Sequence, residues 1–269
     1  MEVDLKRRTF VSGTAALAAA SVAPSVLSPA FAATIKPYSW DLNPPTDTRE
    51  NFIAWGKARG EDPVFLGQRW DRFQALVKNK DIWGAATIRA FLLTPREEFA
   101  SINPAIHKRA YEHAFLDIGY GVTMSGPHIQ GRMTNVIDVK HGEKVLEIGT
   151  GCGYQTAVLS GLVTRIYSIE RIEALLQRAK ARLKELSVKN VRFRHGDGME
   201  GWKSHAPYDG ILVAAAPLSV PEALLAQLAE NGRLIMPVGT EGGQELMRFT
   251  RRDQRIEKLS LGPASFVPL

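Results

Sequence analysis

The stretch "VLEIGTGCGYQTAVL" (145–159) sets Gly149, Gly151 and Gly153 at alternate positions between an apolar run and a second apolar segment. Glycines are needed where backbone must pass close to a ligand or take a positive φ. The pattern predicts a strand, a tight turn and a helix whose first turn faces a bound anion or polar group. Glu170 closes the next apolar run, "RIYSI" followed by Glu. A carboxylate at that strand end can accept from both hydroxyls of a ribose. Asp197, in "HGDG" (195–198), ends the run after that. Three consecutive strand ends therefore carry groups suited to one nucleoside-containing ligand. The spacing is G-x-G-x-G with Glu147 two residues before the first glycine, which departs from the G-x-G-x-x-G of dinucleotide-binding proteins. A dehydrogenase of related fold and a βα turn that binds nothing are the competing readings of the loop alone. Cys152, inside the loop, reads as a small filler residue.

Other chemistries find little support. One cysteine cannot form an internal disulfide. The six histidines show no metal-ligand spacing, so no metal is expected. The net charge is +6, but Lys and Arg are dispersed without a dense block interleaved with aromatics. A solvated basic surface is expected rather than a nucleic-acid partner.

The elements that must position these residues follow from periodicity. Strands are expected at 144–148, 165–169, 191–195, 208–215 and 233–238, and helices near 153–163, 171–186 and 219–229. The helix at 171–186 puts Ile172, Leu175, Leu176, Ala179, Leu183 and Leu186 on one face. Alternating strands and helices predict an α/β fold with a doubly wound, mainly parallel sheet. A small helical portion should precede it, over 68–115, and a hairpin of strands should close it, over 244–260. "TPREEF" (94–99) reads as a capping box opening a helix, with Thr94 as cap and Glu97 at its third position. Residues 33–67, with Pro44-Pro45 and many turn formers, are expected to be an irregular extension pinned by Trp40, Trp55 and Phe65.

Residues 1–32 read as a signal peptide. Lys6, Arg7 and Arg8 precede a mild apolar stretch, and "AFA" (30–32) is a cleavage signal, so the mature chain would start near Ala33. The R-R-x-F-V pattern resembles a twin-arginine export signal. Export to the periplasm is the expectation, with a cytoplasmic location if the signal is not used. No stable membrane insertion is expected after cleavage. That route carries folded, often cofactor-loaded cargo.

The motif "VLEIGTGCGY" resembles the first motif of S-adenosylmethionine-dependent methyltransferases. "GYGVTMSGPHIQGRMTNVI" (119–137), "IERI" (169–172), "RHGDGMEGW" (194–202), "YDGILVAAAP" (208–217), "VPEALLAQLAENGRLIMPVG" (220–239) and the closing "FVPL" extend the likeness. Together, from Arg69 to Leu269, they resemble the protein-L-isoaspartate O-methyltransferase family. The resemblance implies a class I methyltransferase fold, S-adenosyl-L-methionine as cofactor, and damaged proteins or peptides as partners. It implies methylation of the isoaspartyl α-carboxylate, after which the ester closes to a succinimide that reopens in part to aspartate. It places the family's active-site serine on Ser125 and a cofactor and substrate contact on Thr123. It gives Gly149, Gly151, Glu170, Asp197 and Gly198 to the cofactor. A monomer is expected. Val122 stands where bacterial relatives usually carry glutamine. Two other readings stay open here: a methyltransferase of this fold for another peptide carboxylate, and an exported relative that binds without turnover.

Overall fold

The computed structural model describes residues 39–100, 103–253 and 255–269. The segment read as a signal peptide, 1–32, lies outside them. Four helices come first: α1 (Arg49–Ala58), α2 (Pro63–Lys78), α3 (Ala85–Leu93) and the single turn α4 (Pro104–His107). A hairpin of β1 (Leu116–Gly119) and β2 (Val122–Met124) leads into α5 (Pro127–Ile137). Then β3 (Lys144–Ile148), α6 (Tyr154–Ser160), β4 (Arg165–Glu170), α7 (Glu173–Glu185) and β5 (Val191–His195) alternate. β6 (Tyr208–Val213), α8 (Glu222–Ala226), β7 (Leu228–Val238), β8 (Gln244–Arg252) and β9 (Arg255–Ala264) complete the chain.

The large sheet has the order β5-β4-β3-β6-β7-β8-β9. Its first five strands are parallel, while β8 and β9 add antiparallel pairs. This is the doubly wound sheet expected, with the closing hairpin extended to Ala264. The chain leaves β3 toward β4 and β5, then returns to the other side of β3 as β6. The strand order thus reverses between β3 and β6, which opens a crevice beyond their carboxyl ends. β3 to β4 pair in continuous register from Lys144↔Arg165 to Ile148↔Ile169, so the loop after β3 and the end of β4 are level.

Several local readings are corrected. The stretch expected to be irregular, 33–67, contains α1 and the start of α2. Thr48 caps α1 by accepting from Asn51 N at 3.2 Å, and Asp62 caps α2 by accepting from Val64 N at 2.7 Å, with Pro63 at the first helical position. Caps and a proline at that position favour helix, and the turn formers outside them mark only the boundaries. Phe52, fully buried, packs on Trp55 and Trp70 at ring separations of 5.8 and 5.6 Å. The boundary at 67/68 therefore falls inside α2. Trp40 lies against Gly161, so close that a Cβ there would meet its ring at 2.0 Å.

The capping box at 94–97 does not form. Thr94 ends α3, its hydroxyl donating to Ala90 O at 2.7 Å, and Arg96–Phe99 make one 3-10 turn. Glu97 turns inward to Arg69 Nη2 at 2.9 Å and accepts from the Tyr111 hydroxyl at 2.5 Å. An ion pair and a hydroxyl donor together outweigh one backbone amide. The helices are shorter than periodicity suggests. The reading of 219–229 shrinks to α8, because residues from Leu228 join the sheet as β7.

Beneath the glycine loop, Glu147 is fully buried in the middle of the sheet. Its Oε2 accepts from Thr156 Oγ1 at 2.5 Å and Ser168 Oγ at 2.6 Å. Its Oε1 has no partner. Burial dominates these bonds and pushes the carboxyl up to about 7. The native state thus holds this proton more tightly than the unfolded chain does. That contribution is complete below about pH 4.5 and disappears as pH rises through about 7. It amounts to about 3 kcal/mol. Glu147→Gln should flatten the decline of stability between pH 5 and pH 8, read from denaturant midpoints at both values. An unchanged slope would show that Glu147 is ionised throughout that range.

Candidate functional site

Beyond the carboxyl ends of β3, β4, β5 and β6 lies a cavity of about 710 Å³. Every residue read from the sequence as a site residue lines it: Thr123, Ser125, Gly149, Gly151, Glu170, Asp197 and Gly198. The glycine loop leaves β3 with φ of +89° at Gly149, +56° at Gly151 and +91° at Gly153. Side chains at these positions would be strained. Gly149 N donates to Ile169 O at 2.9 Å, which keeps the loop against the end of β4. Gly153 has a different task. A Cβ there would come within 3.2 Å of Ala179 and Leu183, so this glycine lets α7 pack closely.

Glu170 shapes the loop as well as facing the cavity. Its Oε2 accepts from Gly151 N at 2.8 Å and its Oε1 from Ile172 N at 2.9 Å. Each carboxylate oxygen keeps a second lone pair for a hydroxyl donor. One strand further out, exposed Asp197 accepts from Met199 N at 2.8 Å through Oδ1. Gly198 is pressed onto Ile148: a Cβ would lie 2.1 Å from its Cγ2. The cavity floor therefore has no room for a side chain at that point.

Thr123 and Ser125 come from the other side. The β1–β2 hairpin, which periodicity did not reveal, carries Thr123 opposite Asp117. Its turn uses positive φ at Gly119, Tyr120 and Gly121. Arg178 on α7 donates to Ile118 O and ties the hairpin to the large sheet's helix layer. Ser125 follows β2 directly, and Gly126-Pro127 then start α5. The Ser125 carbonyl accepts from Arg96 Nη2 at 2.7 Å.

Other lining residues were not singled out from the sequence. Gln155 is buried, with Nε2 donating to Thr134 Oγ1 at 2.8 Å and Oε1 without a partner. Val267, Pro268 and Leu269 form a wall, held by Ala216 N donating to Val267 O at 2.8 Å and Leu269 N to Ala216 O at 3.1 Å. The motif "FVPL" was the available signal, but nothing in its residue types suggests a cavity wall. A second cavity, of about 940 Å³, adjoins the first and shares Thr123, Met199 and Val267–Leu269.

The titratable groups are quiet. Burial pushes the Cys152 thiol up, so it stays protonated and acts as the small filler expected. His128 is outside the cavity lining, stacked on His113 at 3.9 Å, and burial with the His113 charge pushes it down to about 4. It is neutral at pH 7. Among the described residues no cluster of His, Cys, Asp or Glu could hold a metal, and no helix is long and apolar enough to cross a membrane.

The site fits a nucleoside-containing ligand. Its glycine cradle excludes side chains, a two-pronged carboxylate faces one wall, and a buried acceptor at Gln155 lacks a donor. Residues 71–269 match the family described as Protein-L-isoaspartate(D-aspartate) O-methyltransferase. A Shewanella (strain ANA-3) protein named Protein-L-isoaspartate O-methyltransferase is 50% identical over 184 residues, 68% of this chain and 86% of that protein. One of the same name from Halorhodospira halophila is 47% identical over 201 residues, 74% of this chain and 90% of its own. Among solved structures, a protein-L-isoaspartate O-methyltransferase superposes with a TM-score of 0.68 at 30% identity. That likeness covers 75% of this chain and 65% of the longer solved one. A Plasmodium falciparum beta-aspartate methyltransferase (PCMT), in complex with S-adenosyl-L-homocysteine, gives 0.65 at 25% identity, covering 74% of this chain and 96% of its own. Motif order, fold and site geometry converge, and the chain belongs to the protein-L-isoaspartate O-methyltransferase family.

Proposed function

We propose that this protein transfers a methyl group from S-adenosyl-L-methionine to the α-carboxylate of L-isoaspartyl residues in damaged proteins or peptides. One observation carries the reading: the Gly149–Gly153 loop, Glu170 and Asp197 meet Thr123 and Ser125 in a single cavity. When bound, S-adenosylmethionine supplies a methyl group activated by a sulfonium. The chain's residues bind and orient. Gly149 and Gly151 let the ligand lie against backbone. Glu170 accepts from ribose hydroxyls with the lone pairs that its own loop contacts leave open. Asp197 and Gly198 border the base. Ser125, with Thr123 beside it, donates to the substrate carboxylate and fixes its direction.

No general base is required. The nucleophile is a carboxylate, already ionised at pH 7. A neutral His128 and a protonated Cys152 agree with a site that moves no proton. The chain's contribution is to hold two reactants together and to keep water from the carboxylate. The adjoining cavity, with Leu218 and Phe266 on its lining, gives the flanking polypeptide a place to lie. The leader supports a further reading, that residues 1–32 direct export and that the mature chain acts outside the cytoplasm.

Three outcomes are expected. Ser125→Ala should lower kcat on an isoaspartyl peptide by about 10-fold to 100-fold, the scale of one oriented donor. Its affinity for S-adenosylhomocysteine should stay within twofold by calorimetry. An unaltered kcat would remove Ser125 from the mechanism. Asp197→Ala should instead weaken S-adenosylhomocysteine by about 10-fold, the scale of a hydrogen bond to a charged group. Unchanged affinity would sink that assignment. For the leader, N-terminal sequencing of the exported protein should begin at Ala33, and Arg7→Lys/Arg8→Lys should retain the chain in the cytoplasm. Export of that double variant would overturn the twin-arginine reading.

A further inference from the structure

Arg96 is 1% exposed and sits one layer behind the Thr123–Ser125 end of the cavity. Its Nε donates to Ala110 O at 2.6 Å, its Nη2 to Ser125 O at 2.7 Å, and its Nη1 to Gln130 Oε1. The guanidinium carbon lies 4.8 Å from the centre of the Tyr154 ring. Ser125, Gln130 and Tyr154 all line the cavity.

All these partners are neutral. Among the described residues no carboxylate forms an ion pair with Arg96. The adjacent acid is engaged elsewhere. Glu97 is held by Arg69 and by the Tyr111 hydroxyl, and that hydroxyl accepts from Arg96 N at 3.0 Å. Arg69 itself is matched by Glu97 and Glu61, both at 2.9 Å. Arg69 thus holds both carboxylates of the cluster directly, and Arg96 holds neither. Arginine keeps its charge under all physiological conditions. Burying a cation without a contacting anion is costly. It is tolerated where a complementary charge arrives with a ligand.

We propose that Arg96 is a positioning residue for an anionic substrate. Its charge, which no carboxylate contacts and which is set against Ser125, Gln130 and Tyr154, makes the Thr123–Ser125 end of the cavity selective for a carboxylate. Its bond to the Ser125 carbonyl fixes the backbone that presents the serine hydroxyl. This rests on the isoaspartyl reading above and adds a source of positive potential at the Ser125 end, since the one cation on the cavity lining, Arg171, follows Glu170 at the end of β4. At the low dielectric of a buried site such a charge acts strongly across one layer of atoms.

The test separates charge from scaffolding. Gln130→Glu keeps every bond that Arg96 makes but places a carboxylate against Nη1. It should raise KM for an isoaspartyl peptide at least fivefold, with kcat less affected and S-adenosylhomocysteine affinity within twofold. Arg96→Met should raise KM at least tenfold, and Arg96→Lys, which restores charge without the three-way fork, should recover most of that loss. A scaffolding role predicts no rescue by lysine, and a charge that does not reach the substrate predicts no change in Gln130→Glu. Either result would overturn the proposal. The wild-type enzyme run alongside keeps the two readings apart. Inactivity of the wild type on the isoaspartyl peptide refutes the substrate reading and this inference with it. An active wild type with an unchanged Gln130→Glu refutes this inference alone.

Discussion

The contact between Gly151 N and the Glu170 carboxylate joins two strand ends, and the site is arranged around it. Backbone leaving β3 takes the left-handed region three times within five residues. Such a loop has few conformational restraints of its own, because glycine loses more freedom on ordering than any other residue. Glu170 supplies the restraint from β4, at 2.8 Å, and the continuous β3–β4 register brings it level. The same carboxylate faces the cavity. A residue that shapes the loop and is also presented to the ligand couples binding to loop order.

The opposite wall is built by a different device. The helical lead-in looks peripheral in sequence, yet it delivers a buried polar cluster to the back of the β2–α5 junction. Arg69 bonds to Glu61, Glu97, Tyr111 and Leu92 O, drawing α2, the end of α3 and the segment before β1 together. Arg96 extends that cluster to Ser125. The sheet therefore holds one half of the site and the helices hold the other. Arg178, reaching from α7 to Ile118 O, links them. Buried ionic groups of this kind demand mutual satisfaction, so geometry at one partner propagates to the others.

Much of the α/β portion was legible in the sequence. Strands buried on both faces read as short apolar runs, and α7 carries an unambiguous stripe. Glu170 and Asp197 were visible because strand ends are easy to locate once the alternation is seen. The lead-in was less legible. Pro44-Pro45 and many turn formers suggested irregularity, but Thr48 and Asp62 cap helices whose apolar faces depend on distant partners such as Leu66 on Gly56. Glu97 illustrates the same limit. Local spacing made it a capping residue, whereas Arg69, 28 positions away, claimed its carboxylate. The β1–β2 hairpin is too short to show a period, and the wall formed by Val267–Leu269 depends on backbone bonds to Ala216 that no residue type announces.

The two outer strands of the large sheet bear on a different matter, the company this protein keeps. Among the described residues nothing pairs with the far side of β5 or β9. Edges of this kind are templates for another chain's backbone. β5 places Arg192, Arg194 and His195 along its edge, and β9 places Arg255, Glu257 and Lys258 on its own, with positive φ at Gly262 disturbing its far end. A protein that handles damaged polypeptides meets partly unfolded chains with free backbone groups. Charged edges let it work among such chains without nucleating their aggregation or joining it.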